Sequence, residues 1–275
     1  MKPEGWQAQR RIESDYDRAI RRLLHRVWQL VGDETSPFDI VDAILRITRS
    51  KLFADFAVAA SRKMITQTFT DTAKTWREAA KESSKGRIIY EALQNEMQGS
   101  VGATVHSLIE RNARIIKSLP LSTAQQVTQY IQEETLKGKR HEQIAREIME
   151  KFPYMSTSRA ALIARTEASK AHTALIQARA DEVGIAWYEW RTSKDARVRN
   201  SHSHMDEVLC RFDSPPSPEA LVNERNVGVY NAGEIYNCRC FPRPIVVIDF
   251  ITWPHKVYYG GKIITMSKEQ FRRIM

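Results

Sequence analysis

Apolar residues recur at steps of three and four from Ile12 through Tyr16, Ile20, Leu23 and Val27 to Leu30, while Arg18, Arg21, Arg22 and Arg26 lie on or beside the opposite side. That period places one apolar stripe on a helix and leaves it a basic flank. Ser36 and Pro37, with Asp39 just beyond, read as an N-cap and first turn opening a second apolar helix through Phe38, Val41, Leu45, Leu52 and Phe56. Further helices follow to about residue 118. Leu119-Pro120 predicts a break, Ser122 a fresh cap, and Gly138 the end of a helix carrying Val127, Ile131 and Leu136. A short helix through Ile144, Ile148 and Phe152 comes next, then a long one from Ser156 to Val183. In this last helix Ala161, Ala164, Ala168, Ala171, Leu175 and Ala178 form a seam of mostly small residues, which lets a neighbour approach closely.

After Gly184 the period changes. IAWYEWRTS is aromatic-rich and reads as a strand, PIVVIDFI (244–251) as a buried strand, and KVYYGGKIIT as a hairpin turning on Gly-Gly, with Ser267 capping a last helical turn. Between the first two lies a long irregular connection containing SPPSP, of the kind that is either functional or pinned by something. The fold class is therefore α+β: a predominantly helical N-terminal region followed by a small mixed domain with a short β-sheet.

The chain has 275 residues, 42% of them hydrophobic, enough for a real core. No run of apolar residues is long enough to span a membrane, and the opening MKPEGWQAQRRIESDYDR lacks the apolar stretch of a secretory signal, so a soluble protein made in the cytoplasm, with no membrane partner, is expected. Lys plus Arg outnumber Asp plus Glu by 42 to 33, a balance that favours contact with polyanions. Three cysteines are too few for a disulfide framework.

Two of those cysteines, Cys238 and Cys240, sit together in YNCRCFP, and His202 and His204 lie across the irregular connection in NSHSHMD. In extended chain, residues i and i+2 share a face, so each pair could present both ligands to one point and together complete a tetrahedral zinc site, with Asp206 or Cys210 as substitutes for a histidine. Buried, reduced cysteines packed at a strand start are the alternative. An enzyme reading, with a His/Cys-held metal and Asp195, Asp206 or Glu207 activating water, meets a crowd of arginines (Arg197, Arg199, Arg239, Arg243) better suited to holding anions or pairing with acids. No P-loop, G-x-S-x-G or H-E-x-x-H motif is present.

The ordered set GKRHEQIAREIMEKF, SRAALIARTEASKAHTAL, EWRTSKDARVRNSHSHMD and GEIYNCRC resembles the phage Mu F-like minor head protein family, of phage head morphogenesis, over roughly residues 120 to 248. The resemblance divides the chain into a helical docking region (1–119), the Mu F-like domain (120–251) and a C-terminal hairpin and tail (252–275). It implies a non-enzymatic minor structural protein of a tailed-phage or prophage head, assembled in the host cytoplasm and resident in the virion. The expected partners are the portal protein, the major capsid or scaffolding protein, and double-stranded DNA; Arg18, Arg21, Arg22 and Arg26, the basic flank of the first helix, are the expected DNA or partner contact. A metal-dependent nuclease or toxin-like enzyme and a non-specific DNA-binding protein are the competing readings.

The family pattern falls on Arg165, Thr166 and Glu167; on Trp190, Asp195, Arg197, Arg199 and His202; and on Asn237, Cys238, Arg239 and Cys240. These residues are expected to form a structural clasp in which the histidine segment and NCRC meet on the sheet and against the ARTE helix, with Asp195, Arg165, Glu167 and nearby arginines in one charge network. Zinc, if bound, would sit on His202, Cys238 and Cys240, with His204, Asp206 or Cys210 fourth. The chain departs from the pattern where Asp206-Glu207 replaces Asp-Gly and Ala232-Gly233 replaces Pro-Gly, which puts the local turns in question because glycine permits backbone angles that glutamate resists.

Overall fold

The computed structural model describes residues 3–32 and 36–275. The N-terminal region is helical: α1 (Arg10–Val31), α2 (Pro37–Thr48), α3 (Lys51–Lys81), α4 (Gly86–Asn95), α5 (Ser100–Leu136) and α6 (His141–Glu182). The rest is mixed: β1 (Trp187–Thr192), α7 (Asn200–His204), β2 (Leu209–Arg211), α8 (Pro218–Leu221), β3 (Cys240–Pro244), β4 (His255–Tyr259), β5 (Lys262–Met266) and α9 (Lys268–Arg272). The α+β architecture expected from the sequence is the one observed. No helix among the described residues is long and apolar enough to cross a membrane.

Contacts divide the chain into two compact units. A helical unit comprises Arg10–Ile65 and Ser107–Arg165, and a sheet unit comprises Met1–Gln9, Thr66–His106 and Thr166–Met275. In the helical unit, the predicted stripe of α1 is buried from Ile12 to Val27, but Leu30 is 54% exposed and Val31 is buried in its place. Trp28 and Val31 pack with Ile40 and Ile44 of α2, Val127 and Ile131 of α5, and Ile144, Ile148 and Phe152 of α6. Ser36 stands at the N-cap of α2 without a side-chain cap bond, and Pro37 takes the first turn. Leu52 and Phe56 belong to α3 rather than to α2, and Leu52 is exposed.

Two predicted breaks are absent. Pro120 lies inside α5 and Pro153 inside α6, so each pair of expected helices is continuous. Each missing proline amide costs one helical hydrogen bond, at the carbonyls of Ile116 and Met149. Burial of Ile116, Leu119 and Val127 holds the α5 stretch in place. Gly138 does end α5, at φ +80.

The sheet has the order β3-β1-β2-β4-β5. β1 is antiparallel to β2 and β3, β2 and β4 are parallel, and β4 and β5 form the predicted Gly-Gly hairpin. Every residue of β1 is buried because both faces are covered. Tyr188 and Trp190 point into a cluster with Ala73 and Trp76 of α3 and Ile176 and Ala180 of α6, while Trp187 points the other way, to Val257 and Phe271. Ser267 caps α9 through a capping box with Gln270. The predicted strand over 244–251 is not one: β3 spans Cys240–Pro244, and a 3-10 turn follows at Ile248–Phe250. Pro242 and Pro244 lack ladder donors, which fits β3 to a sheet edge and stops its extension. The short strand β2, within the stretch expected to be irregular, was not anticipated.

Candidate functional site: a buried His/Cys cluster clasped to a helix

The exit of β1 leads through a tight segment into α7, and this corrects one expectation. Residues 200–204 are helical, not extended, so positions i and i+2 diverge: His202 is 1% exposed and points inward, whereas His204 is exposed. Cys238 and Cys240 approach from the other side of the long connection, Cys240 opening β3. Their Sγ atoms lie 3.6 and 3.3 Å from His202 Nδ1, and the ligand atoms of the three residues all lie within 4.8 Å of one another. The two distant stretches therefore meet, as expected.

The residues named as a fourth ligand are occupied elsewhere. Asp206 Oδ1 accepts from the Thr192 amide at 2.9 Å, and the buried Cys210 thiol bonds to the Val208 carbonyl at 3.7 Å, its proton held on by burial. Within the cluster, a hydrogen bond from Cys240 holds Cys238 well below the usual thiol range, with burial opposing and His202 assisting. Burial, and then the neighbouring Cys238 sulfur, push Cys240 the other way.

A second layer surrounds the histidine. His202 Nε2 lies 3.0 Å from Tyr230 Oη, and Tyr230 donates to Glu219 Oε1 at 2.6 Å. Ser201 Oγ donates to the same carboxylate oxygen at 3.3 Å. Trp190, fully buried, meets His202 edge-on at 5.6 Å between ring centroids. Tyr230 and Glu219 were not foreseen, since nothing in a long proline-rich connection marks which of its polar residues turn inward.

The clasp closes against α6. Thr166 Oγ1 accepts from the Asn237 amide at 3.0 Å, Ser169 Oγ donates to the Gly233 carbonyl at 3.1 Å, and Thr173 Oγ1 donates to the Ala232 carbonyl at 2.7 Å. Hydroxyl residues spaced three and four apart present one helix face to the main chain of the loop. Only Thr166 had been singled out, although the spacing of Ser169 and Thr173 carries the same signal. Glu167 is buried beside this face.

Ion pairs engage the charged residues named for the clasp. Asp195 pairs with Arg239 at 2.7 Å; burial works against it, but the Arg197 amide and the Arg239 guanidinium hold its carboxyl below the usual range. Arg165 pairs with Glu13 of α1 at 3.1 Å. Arg199 donates to the Tyr236 carbonyl at 2.9 Å and stacks on that ring, pinning the approach to NCRC. Arg243 pairs with Glu189 at 2.8 Å and Arg191 with Glu207 at 3.0 Å. The acids that an enzyme reading would use as bases are thus engaged with arginines or main-chain amides.

One departure from the family pattern, Glu207, falls where glycine would be favoured, and two residues that follow the pattern share that backbone region. Glu207 adopts φ +67 and Asn237 φ +55, in the left-handed region, and Gly233 φ +93. Left-handed backbone costs a non-glycine residue about 1–2 kcal/mol. Glu207→Gly should relieve that strain at the expense of a half-exposed ion pair worth at most about 1 kcal/mol and of added unfolded-state freedom. The expected net change, read from denaturant midpoints, lies between zero and about 1 kcal/mol of stabilisation, whereas Glu207→Val, β-branched, should destabilise.

Residues 125–242 match the family described as Phage Mu protein F like protein, so the resemblance read from the motifs holds over the segment that contains the whole cluster and its α6 anchor. The chain is also 31% identical over 142 residues to an uncharacterized protein of Haemophilus influenzae, an alignment covering 52% of this chain and 29% of that relative. The chain thus spans under a third of that relative's length. No solved structure matches.

Proposed function

We infer that this protein is a minor structural component of a tailed-phage or prophage head, acting in head morphogenesis, with the clasp of its Mu F-like segment in the sheet unit and the helical unit offering the contact to portal, capsid or scaffolding protein. The observation that carries this reading is the Phage Mu protein F-like match over residues 125–242. The construction of the matched segment supports it: its acids are spent in ion pairs and its histidine is buried among thiols and a tyrosine, an arrangement suited to holding a fold rather than turning over a substrate. Residence in the virion and absence of a catalytic role follow from the same reading.

Contact with the packaged genome is the finer part of the proposal. Arg18, Arg21 and Arg22 of α1, with Lys63 of α3 and Asp15, line one shallow concavity of the helical unit. Arg18 is paired with Asp15, and Arg21 with Asp17 at 2.8 Å, so half of the basic flank is neutralised locally. Arg22 and Arg26 are exposed, with local hydrogen bonds to the Arg18 carbonyl and to Gln29. DNA binding through this flank should therefore be modest and salt-sensitive: two phosphate contacts predict that log affinity falls with log salt at a slope of about −2. Arg22→Glu with Arg26→Glu should abolish that dependence in a filter-binding titration.

The decisive experiment is an infection or induction in which the tagged chain is followed through head purification. Co-sedimentation with heads in few copies, and loss of viable heads when the gene is disrupted, is the expected result. A chain found free of heads, with head yield unchanged on its removal, would overturn the reading.

A further inference from the structure

We propose that His202, Cys238 and Cys240 form a structural binding site for a thiophilic dication, Zn²⁺ in particular. The inference rests on side-chain geometry and stands whether or not the head reading does.

The first support is the histidine tautomer. Tyr230 donates its proton to Glu219 Oε1, so its hydroxyl oxygen is left to accept from His202 Nε2. With the proton on Nε2, the lone pair of Nδ1 points at both sulfurs. A ligating imidazole whose other nitrogen is oriented through a hydrogen-bonded carboxylate is the usual outer-layer arrangement of zinc sites. Here the tyrosine hydroxyl relays that orientation from a buried carboxylate.

The second support is the donor set and its charge. Two sulfurs and one imidazole nitrogen converge on one buried point, the donor set that a thiophilic dication takes. The indole N–H of Trp190, whose ring meets His202 edge-on, is buried without a hydrogen-bond partner. A dication with two thiolates adds no net charge to the interior, so the cluster can be buried with it at little electrostatic cost. His202 is 1% exposed and each cysteine 4%, a closure that fits a structural rather than a catalytic metal. Among the described residues no fourth His, Cys, Asp or Glu atom joins the group, so the chain supplies three ligands.

The third support is what the bond would do. It would link α7 to the start of β3 across sequence separations of 36 and 38 residues, through a connection whose regular structure is limited to β2 and the single turn of α8. A metal clip on a loop of that length removes a large share of its unfolded freedom.

The test uses the full chain, purified with a non-thiol reductant and stripped of metal. Co²⁺ titration should produce thiolate-to-cobalt charge-transfer absorption saturating at one equivalent per chain, and Zn²⁺ should displace it. Cys238→Ser and Cys240→Ser should each weaken binding by about a hundredfold or more, while Cys210→Ser, a buried cysteine outside the cluster, should titrate as the wild type does. Tyr230→Phe should weaken binding by about ten- to a hundredfold without removing the band, an effect that simple packing of the ring would not produce. Should the serine variants fail to fold, the wild type still decides: its melting temperature must rise with Zn²⁺ and fall with chelator. A folded wild type with no charge-transfer band and no melting shift would overturn the proposal, as would a band of full strength in the Cys238→Ser, Cys240→Ser double variant.

Discussion

Gly233→Ala is expected to destabilise the protein by about 2–5 kcal/mol, lowering the melting temperature by roughly 5–15 °C. Two effects add. At φ +93 a side chain strains the backbone wherever it stands. The added Cβ would also land inside the contact distance of Thr173 Oγ1, 3.1 Å from the Cys240 carbonyl oxygen and 3.2 Å from Ser169 Oγ. The main chain cannot give way without drawing NCRC off α6, and displacing Thr173 leaves the Ala232 carbonyl without its partner. A double-mutant cycle separates the two effects: in a Thr173→Ala background the glycine substitution should cost at least about 1 kcal/mol less. Equal costs in both backgrounds would show that the contact with Thr173 contributes nothing.

The second large effect is a loss of stability in mild acid, traced to His172. This residue is 2% exposed on α6 and lies 2.7 Å from the Trp6 carbonyl oxygen, to which Nε2–H donates. Burial lowers its pKa from 6.5 to about 4; the Trp6 carbonyl opposes that shift and the Arg179 guanidinium adds to it. Because the folded state binds the proton less readily than the unfolded chain, the stabilisation is fully present above pH 6.5 and is lost as pH falls from there through about 4. At about 1.4 kcal/mol per pH unit, the whole loss comes to about 3 kcal/mol. His172→Gln keeps a donor for Trp6 but cannot titrate. Its unfolding free energy, measured by denaturant between neutral pH and pH 4, should therefore fall by about 3 kcal/mol less than that of the wild type. Parallel profiles for the two proteins would remove His172 as the cause.

Much of the fold was legible wherever a single period dominates. The three-and-four spacing of Ile12 to Val27 and the Gly-Gly hairpin came through as read. Prolines misled in both directions. Pro120 and Pro153 are held inside helices by buried neighbours such as Ile116, Leu119 and Phe152, which local punctuation cannot reveal. The prolines of β3 end a strand that its β-branched continuation seemed to extend. At the site, the meeting of His202 with Cys238 and Cys240 was anticipated from the ordered motifs. The exclusion of His204 was not, because it depends on a single helical turn in α7. Tyr230 and Glu219 stayed hidden for a simpler reason: a relay between residues 11 apart in an irregular loop leaves no periodic trace.

The seam between α6 and the loop is written in main-chain atoms. Three hydroxyls address the carbonyls of Ala232 and Gly233 and the amide of Asn237; every residue type supplies the carbonyl, and every type but proline the amide. Substitutions at Glu234, Ile235 and Tyr236 lose at most a side-chain contact each (the Asn231 amide bond, core packing, the Arg199 stack), so they should be tolerated better than a change in the number of residues there. Thr166 and Thr173 stand about 10 Å apart along the helix axis, and a chain one residue longer or shorter could not reach both pegs in register. In this segment natural variation should appear as altered letters, with gaps selected against.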